Sequence, residues 1–529
     1  MSATPAQIPL LYGRSEEQPF NPWIVALVVT LATFMEVLDT SIANLSLGHI
    51  GGSLSATQEE STWVLTSYLV SNAIVLPLSG WLTSLMGRKR FNMVCVGLFT
   101  LASALCGMAT TLPMLIFFRV LQGLGGGGLQ PSVQAILVDT FPPARRGMAM
   151  AMYTIAVLVA PVLGPTLGGW ITDSYSWRWI FYINVPVGLI SIVLTQIVLR
   201  DPPYLVAQRA AQRGKPIRVD FIGLSLIALG LATLEIVLDK GQEDDWFQSN
   251  FIFILSTVAV VALVAAVIWE LRHPAPIVNL RLFGDRNFML CCVVMFFVYA
   301  TLYASTVLLP QMLQTLMGYS ATKAGLVLSP AGLVTMLEMP LIGYLLSRGV
   351  DARKVIITGL IIVATAAFWM STLNLEVAAS QVIIPRCVQV LGAGMMFVPI
   401  NTIAYRSIAR TQTNNASGLF SLVRNEGSSI GVALVTTLFQ RHTQTHQAQL
   451  AARINPFNPL ATEAMQKLSG MFGGEAGSLR VLYGMVQRQA AVLAYMDMFR
   501  LFGLATLLVV PLALFMRRGT ATKEAMSAH

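Results

Sequence analysis

Apolar residues in this chain come in long blocks rather than in alternation. Fourteen mostly apolar stretches occupy 23–44, 62–83, 92–110, 113–137, 147–172, 178–199, 220–239, 250–271, 287–310, 322–347, 354–373, 376–404, 416–440 and 496–517. A helix needs about 20 such residues to cross the hydrocarbon of a bilayer. The pattern therefore predicts an all-α polytopic membrane protein with fourteen transmembrane helices. One set of loops holds Arg88, Lys89, Arg90, Arg145, Arg146, Arg209, Arg213, Lys215, Arg218, Arg272, Arg281, Arg286, Arg348, Arg353, Lys354, Arg406 and Arg410. The alternate short loops hold only Arg178, Lys240 and Lys323. Lysine and arginine collect on the cytoplasmic side, which predicts cytoplasmic N- and C-termini.

The chain also repeats itself. Pro77-Leu-Ser-Gly-Trp-Leu82 matches Pro340-Leu-Ile-Gly-Tyr-Leu345, and Arg119-Val-Leu-Gln122 matches Arg386-Cys-Val-Gln389. Two parallel six-helix halves, 23–199 and 272–517, with an inserted helix pair at 220–271, account for these matches. A cytoplasmic tail (1–22), a basic cytoplasmic linker (200–219), a long periplasmic loop (441–495) and a second tail (518–529) complete the organisation. Transporters place substrate sites between such repeats, near the midplane.

Composition narrows the class. Of 529 residues, 55% are hydrophobic and 11% charged, with mean hydropathy +0.67, against about 25% charged in soluble domains. The net charge of +9 lies in short loops and reads as topogenic, so no nucleic-acid partner is expected. The partners expected instead are the lipid bilayer and small molecules. Cys95, Cys106, Cys291, Cys292 and Cys387 sit inside apolar segments without a CxxC pair and read as buried thiols. The polar start before Trp23 shows no cleavable signal. Gly125–Gly128 lacks a following GK[ST] and reads as close packing. His442 and His446 have i,i+4 spacing but no third ligand in sequence, so no metal site is expected. No enzyme motif is present, and no cofactor is expected.

Ionisable groups within the membrane are costly and mark function by default. Glu36 and Asp39 share a face of the first helix, and Arg119, Gln122, Gly126 and Gln130 share a face of the fourth. At ~1.5 Å per residue, Asp39 and Arg119 lie about 8 and 10 Å from the outer ends of their helices, so they share a depth. Moving the arginine, or supplying a cationic substrate, changes whether the carboxylate holds a proton. A structural ion pair is the plainer reading. Tyr299, Tyr303, Glu338, Arg386, Gln389 and Asn401 are candidates for the second half's share of a cavity. Tyr299 and Tyr303 can offer ring faces to a cation.

In the stretch Ala156–Trp170, Ala156, Ala160, Gly164 and Gly168 recur every fourth residue. Such stripes let membrane helices pack closely, while Pro161 and Pro165 each remove a backbone hydrogen bond. A close-packed but deformable helix suits a moving seam, and a static packing helix is the alternative.

Several of these segments resemble the major facilitator superfamily. Ala160, Pro161, Gly164, Pro165, Gly168 and Gly169 are similar to the antiporter motif of its exporters, with Ala160 where glycine is usual. Leu38-Asp39-Thr40-Ser41-Ile42-Ala43-Asn44, Arg119 with Gln122 and Gly123, and Ser176–Pro186 resemble the fourteen-helix drug:proton antiporter branch, the EmrB/QacA-type exporters. Gly80, Gly87, Arg88 and Arg90 resemble the superfamily's cytoplasmic loop motif, with Ser84 replacing its aspartate. The resemblance implies multidrug efflux from a bacterial inner membrane, driven by the proton gradient through alternating access. It further implies Asp39 as proton carrier, Arg119 as its modulator, 160–169 as gating helix, amphipathic toxic substrates, and a periplasmic adaptor at 441–495. A same-fold uptake symporter or facilitator, and a membrane receptor or scaffold, are the alternatives.

Overall fold

A computed structural model describes residues 20–516, apart from 143–144, 213–219, 275, 375–377, 407, 456 and 472–473. The terminal tail 518–529, and most of the tail 1–22, lie outside the described residues. The described chain is helical throughout. α1 is Pro22–Leu45, α2 Leu47–Leu54, α3 Gln58–Met86, α4 Arg88–Met108, α5 Leu112–Gly126, α6 Leu129–Thr140 and α7 Arg146–Ser174. Next come α8 Trp179–Tyr182, α9 Asn184–Val198, α10 Pro203–Gln212, α11 Phe221–Lys240 and α12 Asn250–Arg272. The remainder are α13 Arg286–Thr315, α14 Ala321–Ser347, α15 Ala352–Met370, α16 Ala379–Ala404, α17 Thr413–Ala452, α18 Pro459–Met471 and α19 Glu475–Leu514.

Among the described residues, 12 helical stretches are long and apolar enough to cross a membrane. α7 and α17, which cover the other two expected spans, are 29 and 40 residues long. Local chemistry sets the helix starts. Thr57 and Glu60 form a capping box at α3, and the Asp220, Asp285 and Asp351 side chains cap α11, α13 and α15. Gly127 and Gly128 bend the expected fourth span into α5 and α6 without leaving helical torsion space. The glycine run packs closely, as expected. A Cβ on Gly123 would lie 2.4 Å from the Tyr68 carbonyl of α3, and one on Gly125 would lie 2.6 Å from the Phe99 nitrogen of α4.

The two ends of the bundle are joined differently. At the end carrying the basic loops, Gly343 of α14 touches Met148 of α7, and Gly80 of α3 abuts the Asn415 backbone of α17. Gly418 fits against the Leu76 carbonyl there, and Tyr405 donates to Gln134 of α6 at 2.8 Å. That end is closed by backbone-to-backbone packing. Toward the opposite end, α11 bonds to both flanks. Lys240 and Asp239 pair with Thr62 and Thr66 of α3. Glu235 accepts from Ser429 of α17 at 2.8 Å, and Trp246 just beyond α11 donates to Thr437 at 3.0 Å. α12 covers the outer side of α11 and turns Phe253, Val260, Val261 and Val264 outward, as lipid contact requires.

Residues 441–495, expected as a loop with helical stretches, continue α17 and α19 as helices joined through α18. Phe439 packs on Tyr495 with centroids 4.4 Å apart. His442 and His446, expected from the sequence to lack a third neighbour, have one: α19 brings Asp497 Oδ2 within 2.9 Å of His442 Nδ1 and 2.7 Å of His446 Nε2.

Candidate transport site

Asp39 and Arg119 meet. Arg119 Nη1 lies 2.7 Å from Asp39 Oδ2, with the two residues 0% and 2% exposed. Gln122 and Asn184 donate to the other carboxylate oxygen at 3.0 and 2.6 Å. Arg119 also donates to Gln122 Oε1 at 2.8 Å and to the Val64 carbonyl at 3.0 Å, and stacks over the Tyr68 ring at 4.3 Å. A buried ion pair depends on further bonds to both groups, and here α3, α5 and α9 supply them to the carboxylate and to Arg119 Nε and Nη1, while Arg119 Nη2 has no hydrogen-bond partner. Asn184 was quoted within the Ser176–Pro186 motif but not picked as a site residue. Ser103 accepts from it at 3.0 Å.

Glu36, one turn earlier on α1, has a different setting. It accepts from Gln130 at 2.8 Å, Tyr68 at 3.2 Å and Asn72 at 3.4 Å. Gln130 in turn accepts from Tyr153 at 3.3 Å and from Arg424 of α17. Arg424 also donates to Tyr153 at 3.0 Å and lies 5.3 Å above the Tyr299 ring. Tyr299 and Tyr303 are stacked at 5.5 Å. Asp39 is thus tied within the first part of the chain, whereas Glu36 is wired across to the second. Arg424 is not among the site residues expected from the sequence. An arginine inside an apolar span was the available signal.

The remaining candidates are dispersed. Arg386 donates to Gln389 Oε1 at 2.6 Å, Ser305 at 3.1 Å and Thr306 at 2.8 Å. Glu338 is buried against Gly394, where a Cβ would sit 2.3 Å from its Oε2. Asn401 donates to the Phe397 carbonyl at 2.8 Å.

The small-residue stripe of α7 faces α1. Ala160 is fully buried among Val37, Leu38 and Ile42. A Cβ on Gly164 would lie 2.1 Å from Ser41 Oγ, and one on Gly168 2.9 Å from Ile42. Ser41 donates to the Pro161 carbonyl at 3.2 Å. That carbonyl is the acceptor that Pro165, having no N–H, leaves unused. Gly169 is half-buried, and the side chain of Pro165 lies outside the described residues.

The loop motif has been rebuilt rather than lost. Gly87 has φ +85°, which favours glycine, and Gly349 matches it. Where Ser84 stands in place of the family's acid, buried Arg88 pairs with Asp139 of α6 at 2.5 Å and donates to Asn414 of α17 at 2.9 Å. Arg90 is exposed.

A carboxylate–guanidinium pair buried in a bundle of membrane-length helices, beside a close-packed seam, is an arrangement that fits a polytopic transporter. Residues 29–432 match the model of the Major Facilitator Superfamily. The chain belongs to that superfamily, in its EmrB-type branch of multidrug export proteins. It is 38% identical to the multidrug export protein EmrB of Escherichia coli (strain K12) over 471 residues, 88% of each chain. It is 34% identical to the fatty acid resistance protein FarB of Neisseria gonorrhoeae over 488 residues, 92% of this chain and 94% of that one. Among solved structures, the proton:xylose symporter XylE aligns over 94% of this chain and 96% of its own, with TM-score 0.57 at 13% identity. That likeness concerns the fold.

Proposed function

We propose that this protein is a proton-coupled antiporter that exports amphipathic toxic compounds by alternating access across a bacterial inner membrane. It would do so with fourteen transmembrane helices and cytoplasmic termini. The observation that carries the reading is the buried Asp39–Arg119 pair on the helix that α7 packs against. Asp39 is the proton carrier and Arg119 sets its field, with Gln122 and Asn184 holding the carboxylate in place. Glu36, joined through Gln130 to Arg424, reports the approach of the two halves to the same helix. With the basic loops cytoplasmic, closure at that end excludes an inward-facing arrangement. Energy comes from the proton gradient, and no cofactor is used. The names of EmrB and FarB support export of toxic amphiphiles. An adaptor docks on the helical extension 441–495, where Phe457, Leu460, Met471, Tyr483 and Met485 are exposed.

The test is substrate-induced proton release from inverted vesicles, with Asp39→Asn and Glu36→Gln alongside at equal abundance. Release by the native protein and its loss in Asp39→Asn is the expected result. Release undiminished in Asp39→Asn would overturn the role given to Asp39, and substrate accumulation without proton release would overturn antiport.

A further inference from the structure

The separation that carries Arg119 onto Arg386 also carries Gln122 onto Gln389 and Asp39 onto Thr306. The structure repeats the arrangement. In the first half, Arg119 Nη1 donates to one Asp39 oxygen while Gln122 Nε2 donates to the other. In the second, Arg386 again bonds the side-chain oxygen of the glutamine three residues on, at 2.6 Å. The carboxylate is missing from this copy. Thr306 and Ser305 offer only hydroxyls, and no carboxylate pairs with Arg386 among the described residues. Gln389 Nε2, the counterpart of the donor that holds Asp39, is buried without a partner, in a residue 1% exposed. An uncompensated buried cation beside an orphan donor is costly. An arriving carboxylate satisfies both at once.

We propose that Arg386 and Gln389 form a binding site for the carboxylate of an acidic amphiphile. The inference rests on the export reading and names a substrate class for it. The site has an apolar approach suited to such a ligand. Tyr299, Tyr303 and Thr306 follow one another at i, i+4 and i+7 on one face of α13, so the stacked tyrosine rings lead to the hydroxyl that bonds Arg386. Thr306 and Tyr303 are half-buried, which leaves this side of the guanidinium approachable. The carboxylate takes the place beside Thr306 that Asp39 fills in the first half, and the acyl chain lies along Tyr303, since Tyr299 behind it is covered by Phe397 and Arg424.

The test compares equilibrium binding of decanoate and decanamide to the purified full-length protein. The native protein is expected to prefer decanoate. Arg386→Gln abolishes the preference, Gln389→Leu reduces it, and Arg386→Lys retains part of it. Thr306→Asp supplies an internal carboxylate in the position corresponding to Asp39 and also abolishes the preference. Each abolished preference is a loss of about tenfold or more, the size expected for one buried charge-assisted hydrogen bond. Thr306→Asp adds a buried ion pair, so binding lost with thermal stability intact is occupancy and not misfolding. Equal native binding of the two ligands, or a preference surviving in Arg386→Gln or Thr306→Asp, overturns the proposal. Binding needs no gradient, so failure of proton-coupled export is read separately, from the vesicle assay.

Discussion

Ser41 on α1 donates its hydroxyl to the carbonyl of Pro161 on α7, 3.2 Å away. The bond crosses between helices and fills an acceptor that the next proline leaves bare. α7 can therefore carry Pro165 within a close-packed seam without leaving that carbonyl bare in hydrocarbon, where unpaired groups cost several kcal/mol. Ser41 is also two residues from Asp39, so the bend of α7 and the carboxylate of α1 share a support.

That contact leaves no room for a larger residue at 164. Gly164→Ala places a methyl 2.1 Å from Ser41 Oγ and 2.5 Å from Ser41 Cβ. It is expected to lower the melting temperature of the detergent-purified protein and to abolish transport. Ser41→Gly alone costs about 1–3 kcal/mol by orphaning the Pro161 carbonyl. Combined with Gly164→Ala it relieves the clash, so the double variant should be more stable than the sum of the singles implies. Strict additivity in thermal melts would show that the two residues do not touch.

The ion pair has its own signature. Arg119→Ala leaves Asp39 buried and uncompensated, a loss on the order of 3–5 kcal/mol. Adding Asp39→Asn to Arg119→Gln removes both charges and is expected to recover much of the loss while leaving proton release abolished. Chemical denaturation alongside the vesicle assay separates the two effects.

Closure at the basic-loop end can be locked. Cβ atoms at Gly147 and Leu346 would be 3.7 Å apart, within the range a disulfide spans. Gly147→Cys with Leu346→Cys, in a background lacking the native cysteines, should cross-link under mild oxidation, arrest transport, and regain it on reduction. Oxidised protein that still transports would show that this end does not open during the cycle.

Arg424 offers the most direct probe of communication between the halves. Arg424→Gln severs the link to Gln130 and Tyr153 and is expected to reduce substrate-coupled proton release by about tenfold or more, a barrier increase of ~1.4 kcal/mol or more. Arg424→Lys, a point charge without the planar fork, should recover only part of it. Gln130→Ala in the Arg424→Gln background should add little, since both break one chain.

Long apolar blocks are legible because a bilayer imposes one length on every crossing, so every expected stretch falls on helix, although α17 and α19 run well past 416–440 and 496–517 and the stretches 113–137 and 178–199 are each divided in two. The meeting of Asp39 and Arg119 was legible too, because depth along two antiparallel helices is simple counting. Asn184 and Asp139 were not. Which residue of α9 faces α1, or of α6 faces Arg88, depends on helix rotation in the assembled bundle, and no period in the chain encodes it. Asp497 was hidden similarly: the pairing of α19 with the part of α17 that runs past 416–440 brings it to the two histidines. Arg424 lies in the stretch 416–440, whose several polar residues make a single charge stand out less than in its neighbours.

The inserted helix α11 is fastened to α3 at Thr62 and Thr66 and to α17 at Ser429, with Thr437 of α17 held by Trp246 just beyond its end. In an alternating-access cycle that moved α3 away from α17, α11 could not travel with both, and one set of these bonds would have to be released and remade. Each release would expose hydroxyl, indole or carboxylate groups to a poor solvent. Such pinning would favour the two arrangements in which a set is made over any geometry in between.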